Sequence, residues 1–373
     1  MCIEERMRVA LFMTTDPEMG GGVERWVINT IKGKPNESNL VLVKTDYSDK
    51  KRFNFREREN KGITFVTLNL WENKFNFLRK SRVLSFWLDN FLLPLMISIF
   101  KRKYLSEIKK DLFDVVYLTK NQYWKLFKGK KIVGSNHTEF GDEGFISTLK
   151  AKLFTSGLIY RDVSYFHVFP GRKKIEAILS RRAKILVLPN GAIDRKCPDK
   201  EDKDITFLYV GRLENIKGID ILLNAWKDVE PSNGKLMIVG GGSFNVDSFK
   251  DVKGIEFKGI VSDNDLDSIY CKSDVFIYPT RWDSFPMTVI EAMSSGCFII
   301  TSNRLASAFR RDETMNFIEY IPPEEAAVKN AIRYVIKHVD EIRIKSIKSY
   351  EFFKSNYELN AINRKFFEFL EEI

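Results

Sequence analysis

Apolar residues in this chain come in two textures that alternate. Short unbroken runs, the pattern of strands buried on both faces, occur at RVALFMTT (8–15), NLVLVKT (39–45), ITFVTLN (63–69), DVVYLT (114–119), KKIVGSNH (130–137) and AKILVLPNG (183–191). Between them lie stretches with helical spacing, of which VERWVINTIKG (23–33), following the glycine loop PEMGGG (17–22), is the clearest. The second half repeats the rhythm. Strands are predicted at ITFLYVGR (205–212), GKLMIVGGG (234–242), IEFKGIV (255–261), DVFIYPT (274–280) and CFIITSN (297–303). Helices are predicted at GIDILLNAWKDV (218–229), DNDLDSIYCKS (263–273) and PMTVIEAMSSG (286–296), with a charged helical tail from Glu324 onward. Strands alternating with helices imply parallel βαβ units.

A chain of 373 residues is long for one core, and two domains are expected. Turn residues and charges cluster at NGAIDRKCPDKEDKD (190–204), which places the boundary there, with Ile193 to Lys200 as part of a hinge. The expected division is 1–190, 191–350 and a C-terminal helix, 351–373, that crosses back to the first domain. Trp26, Trp87 and Trp226 fall at helical core spacing and read as packing residues.

Charge separates the halves. Residues 1–190 carry 35 Lys and Arg against 20 Asp and Glu, while residues 191–373 carry 25 against 30. The basic half is expected to face something anionic. Between Phe75 and Lys110, cations bracket the apolar run FLLPLMISIF, which at ten residues is about half a membrane span. The four cysteines form no CxxC, and with only three histidines neither a disulfide framework nor a metal centre is expected. The start, MCIEERMRVALFMTT, reads as a first strand and not as a signal peptide. The expected location is cytoplasmic, peripheral on the cytoplasmic membrane face. Neither a P-loop nor a GxGxxG fingerprint is found.

Candidate chemistry concentrates in YPTRWDSFPMTVIEAMSSG (278–296). Asp283 and Glu291 lie eight residues apart where a strand passes into a helix. The wheel sets Val289, Ile290, Ala292 and Met293 on one face and Glu291 opposite, away from the core. Proline suits a helix start, and amides of a first turn can meet an anion. Arg212 and Lys217, at the end of another strand of the same sheet, supply a fork and a point charge for phosphate. A solvated glutamate, a loop aspartate and two surface cations are the plain alternative for each taken singly; together they point to one diphosphate.

The combination of VGR, KG, YPT, Asp283, Glu291 in EAM, and Gly296, with LPNGAID and GGGVERWV earlier, resembles the family-4 retaining glycosyltransferases. That resemblance implies an α/β architecture of two Rossmann-like domains with parallel sheets facing across a cleft (GT-B). It implies that Arg212 and Lys217 hold the diphosphate of a nucleotide sugar, that Glu291 binds ribose and that Asp283, standing where the family has Glu, binds the transferred sugar. Amides near Pro286, Met287 and Thr288 would contact phosphate or sugar, and Gly21 and Gly22 would let backbone approach the donor. His137 resembles the histidine that the family presents near sugar and acceptor; Glu139 and Asp142 are acceptor-side candidates. No metal and no cofactor beyond the donor substrate are implied. The implied function is hexosyl transfer, with retention, to a hydroxyl of an acceptor glycan or lipid-linked acceptor, with an anionic membrane surface as partner. Rival readings are a nucleotide-sugar epimerase, a weakly active sugar-nucleotide-binding subunit and, from the basic first half, a nucleic-acid-binding protein. No nucleic-acid partner is expected, because RNA-recognition aromatics and zinc fingers are absent.

Overall fold

The computed structural model describes residues 7–14, 22–34, 39–45, 55–60, 63–68, 81, 84, 87–92, 95, 99, 112–119, 121–127, 130–136, 156–160, 183–195, 197, 204–283, 285–306 and 308–373. The chain forms two compact units: Met1–Pro189 with Asn360–Ile373, and Asn190–Leu359.

The first unit holds strands β1 (Arg8–Met13), β2 (Asn39–Thr45), β3 (Phe55–Asn60), β4 (Ile63–Leu68), β5 (Val115–Leu118), β6 (Lys131–Asn136), β7 (Gly157–Tyr160) and β8 (Lys184–Val187). They pair in the order β3-β4-β2-β1-β5-β6-β7-β8, parallel throughout except for β3 against β4. Strand β3, FREREN, carries no apolar run and escapes a hydrophobic pattern search, whereas an antiparallel edge strand tolerates such a sequence. In β1, Ala10 and Phe12 join one core and Val9, Leu11 and Met13 join another. Successive side chains point to opposite faces, so a strand covered on both sides must be apolar throughout. Helices α1 (Gly22–Lys32) and, at the other end of the chain, α8 (Leu359–Glu371) supply the second core, where Phe366 packs edge-on against Trp26 at 5.6 Å and Tyr117 at 5.1 Å between ring centroids. Burying such a ring stabilises by about 1.5–3 kcal/mol.

The second unit holds β9 (Ile205–Val210), α2 (Ile219–Val229), β10 (Gly234–Val239), β11 (Ile255–Gly259), α3 (Asp263–Cys271), β12 (Val275–Tyr278), α4 (Met287–Met293), β13 (Phe298–Ser302), α5 (Arg311–Thr314), β14 (Ile318–Ile321), α6 (Glu325–Lys337) and α7 (Val339–Asn356). Its sheet, in the order β11-β10-β9-β12-β13-β14, is parallel. The order doubles back between β9 and β12, and that reversal leaves a crevice outside the carboxyl ends of these two strands. Gly296, at φ 66°, ends the α4 turn, its N–H reaching Met293 O at 3.0 Å.

Two sequence expectations fail here. Cys197 and Cys271 are disulfide-bonded, with Cα atoms 5.2 Å apart. They lie 74 residues apart in sequence, a separation that spacing motifs do not reveal. Trp26 and Trp226 are buried, but Trp87 is 57% exposed beside a π-helical turn at Leu88–Leu92. Among the described residues no helix is long and apolar enough to cross a membrane.

Candidate active site

The crevice is floored by backbone that only glycine permits. Gly218 ends the 3-10 turn Asn215–Lys217 at φ 76°, and a Cβ there would stand 2.0 Å from Pro279 O. Gly240, at φ 134°, would press a Cβ to 2.0 Å from Gly211 O. The loops after β9, β10 and β12 are therefore in direct backbone contact, and substitution at either glycine would force them apart.

That contact brings Lys217 to Asp283. Lys217 Nζ donates to Asp283 Oδ2 at 2.7 Å and to Trp282 O at 3.3 Å. Tyr278 OH donates to the same carboxylate oxygen at 2.9 Å. The lysine and aspartate side chains are only 10% and 17% exposed. Burial pushes the Tyr278 phenol well above its ordinary pKa, and the Asp283 charge pushes it further, so it stays a donor. The loop is anchored a second time: Arg281 grips Asp220 of α2 through both terminal nitrogens at 2.7 Å and also reaches Asn215 O. Thr280 Oγ1 donates to Ile216 O at 3.1 Å. Lys217 also stands 5.7 Å from the Trp282 ring centroid. Arg212, on the same crevice, is different: its side chain is 67% exposed and pairs with Glu214 at 2.8 Å.

Glu291 departs from the expected outward orientation. It is 4% exposed on α4, because Tyr270 of α3 lies over it and donates to Oε2 at 3.0 Å. A wheel of α4 alone omits the helix packed on its polar side. Pro286 is the N-cap rather than the first helical residue, and Val289 N–H is already taken by Pro286 O at 3.2 Å. Met287 and Thr288 open the helix. Gly22 opens α1. Gly21, His137, Glu139 and Asp142 lie outside the described residues, as does the hinge beyond Cys197. Pattern reading missed Tyr270, Tyr278, Arg281 and Arg195; the two tyrosines read as ordinary apolar positions of a helix and a strand. Among the described residues no group of three or more His, Cys, Asp or Glu is placed to hold a metal ion.

Comparison with known proteins places the fold. Residues 204–338 match the family profile described as "Glycosyl transferases group 1". The chain is 23% identical over 243 residues to the phosphatidylinositol N-acetylglucosaminyltransferase gpi3 subunit of Schizosaccharomyces pombe, covering 61% of this chain and 53% of that protein. The first curated relatives are matched over 53% of their length or less. Among solved structures, sucrose-phosphate synthase from Thermosynechococcus elongatus superposes with a TM-score of 0.71 at 15% identity, covering 98% of this chain and 99% of that one. Anabaena HepE in complex with UDP-glucose does so at 0.65 and 12%, covering 99% and 100%. The chain has the GT-B fold, and its similarity to the group 1 glycosyl transferases lies in the second unit.

Proposed function

We propose that this protein is a retaining hexosyltransferase that uses a nucleoside diphosphate sugar. The observation that carries the reading is the Lys217–Asp283–Tyr278 cluster at the crevice where the strand order reverses. A diphosphate entering there meets the lysine ammonium and, from the rim, the mobile-length side chain of Arg212. In this reading Asp283 binds sugar hydroxyls and Glu291 binds ribose. As the C1–O bond to phosphate breaks, negative charge grows on the leaving diphosphate, and the two cations stabilise it without a bound metal. The acceptor oxygen bonds to C1 on the same face, and its proton passes to the departing phosphate oxygen. No side chain acts as nucleophile in this scheme. HepE, seen with UDP-glucose on the same fold, supports a nucleotide sugar as donor.

The test is a panel of UDP- and GDP-sugars, screened by melting shift and then by turnover. One donor is expected to raise the midpoint and to be consumed only when acceptor is present. Consumption to an isomerised nucleotide sugar without acceptor would identify an epimerase, and stabilisation without any turnover a binding subunit. With the donor found, Glu291→Gln is expected to weaken its binding roughly ten- to a hundredfold, since a charge-assisted hydrogen bond contributes about 1.5–3 kcal/mol. Calorimetry that shows unchanged affinity would remove Glu291 from the ribose site.

The proposed acceptor is lipid-linked, and the proposed place of action is the cytoplasmic face of a membrane. Leu84, Trp87, Phe91, Leu95 and Ile99 are between 43% and 63% exposed, three or four residues apart, within the stretch whose ends carry Arg79, Lys80, Arg82, Lys101, Arg102 and Lys103. An apolar ridge bracketed by cations suits an anionic interface, each cation contributing about 1 kcal/mol. The S. pombe relative, by its name a transferase onto phosphatidylinositol, also supports a lipid acceptor. Sedimentation with phosphatidylserine-containing vesicles is expected at low salt, weakening as exposed charges are screened within about 8 Å at physiological ionic strength. Indifference to such vesicles at low salt would leave a soluble glycan as the acceptor.

A further inference from the structure

We propose that Tyr270 and Arg195 are positioning residues that hold the Glu291 carboxylate for the ribose of the donor. The inference rests on the reading of Glu291 given above and names what sets its aim. Neither residue belongs to the motifs that mark the site.

Arg195 lies five residues into the second unit, on the segment by which the chain enters it. Its side chain is 8% exposed. Nε donates to Asp267 Oδ1 at 2.7 Å, and Nη1 to Ser294 Oγ at 2.8 Å and to Glu291 O at 3.1 Å. The guanidinium carbon stands 4.6 Å from the centroid of the Tyr270 ring. One side chain thus joins the entering segment to α3 and α4 and clamps the tyrosine from one face. The tyrosine is fully buried, and its hydroxyl ends on Glu291 Oε2 at 3.0 Å. Burial raises the Tyr270 phenol well above its ordinary pKa, with the Glu291 charge adding, so the hydroxyl is a proton donor at neutral pH.

A glutamate has three side-chain torsions and several staggered arrangements. A single fixed donor on one carboxylate oxygen selects among them, and a carboxylate fixed before the ligand arrives loses less entropy when the ligand binds. Phenylalanine at 270 would keep the ring and the guanidinium contact but remove that donor. Lysine at 195 would keep the charge while losing both the planar contact and the fork.

The role separates from simple packing by the identity of the ligand. Dissociation constants would be measured by calorimetry for UDP and 2′-deoxy-UDP, and for GDP and 2′-deoxy-GDP, on the wild type, Tyr270→Phe and Arg195→Lys. The wild type is expected to prefer the ribonucleotide by roughly tenfold, the worth of a hydrogen bond to a charged group. Tyr270→Phe is expected to remove most of that preference while leaving the 2′-deoxynucleotide's affinity unchanged, and Arg195→Lys to remove part of it. A lower melting temperature with the preference intact would show both residues to be packing only and would overturn the proposal. If Tyr270→Phe fails to fold, the Arg195→Lys ratio decides alone, and an unchanged ratio there also overturns it. A wild type that binds both sugars equally, or binds neither diphosphate, would instead overturn the reading of Glu291 itself.

Discussion

Lys217→Ala is expected to lower turnover by roughly a hundred- to a thousandfold, the range found when one preorganised group that stabilises leaving-group charge is removed. The loss should fall on turnover more than on donor affinity. In the free protein Lys217 already has a partner in Asp283, so part of any diphosphate contact replaces an existing ion pair, whereas the charge that develops in the transition state is additional. The same substitution leaves Asp283, 17% exposed, with the Tyr278 hydroxyl but without its counter-ion. A fall in stability should therefore accompany the kinetic loss, and Asp283→Asn is the control that reports it separately. Steady-state kinetics with the identified donor, beside melting curves of both variants, make the measurement. A Lys217→Ala enzyme with near-normal turnover would remove the lysine from the leaving-group site.

Reduction of the Cys197–Cys271 bond is the second large effect. The bond closes a 74-residue separation, and chain-entropy arguments assign about 4 kcal/mol to a loop of that order. At roughly 2–4 °C per kcal/mol for a unit of this size, the second unit should melt about 10 °C lower in excess reductant. Cys271→Ser should melt at the reduced value under both conditions. In a reducing cytosol the pair stands as a dithiol, and the lower midpoint is then the operative one. Superposable melting curves with and without reductant would show that the two sulfurs are not bonded in solution.

Much of the second unit was readable from sequence because β9, β10, β12 and β13 are largely apolar runs and the α4 turn ends in glycine, and both textures arise locally. Arg212, Lys217 and Asp283 are candidates for the same local reason: each follows the carboxyl end of a strand, where a parallel sheet collects its ligands. What sequence could not supply were relations across 20 or more residues. Glu291 reads as outward on a wheel of α4, yet Tyr270 of α3 covers it. Cys197 meets Cys271 only once α3 is packed. Arg195 looks like a linker cation until the residues that converge on it, Asp267, Tyr270 and Ser294, are in place. The short edge strand β14, IEYI, and the charged β3, FREREN, lack the apolar length that identifies a central strand. His137, Glu139 and Asp142, the acceptor-side candidates, lie outside the described residues.

Helix α8 has a consequence for the order in which the protein is made. Its Phe366 ring completes the core of the first unit against Trp26 and Tyr117, and Asn363 Nδ2 donates to Asn29 O at 3.3 Å. Residues separated by more than 330 positions must therefore be present together before that core is closed. Domains ordinarily fold as units, N-terminal first, as the chain leaves the ribosome. Here the unit that is synthesised first is finished last. The second unit, continuous from Asn190 to Leu359, has all its strands available while the first still presents an uncovered aromatic face. For the interval of synthesis between Pro189 and Phe366, that aromatic face is apolar surface that a chaperone would cover.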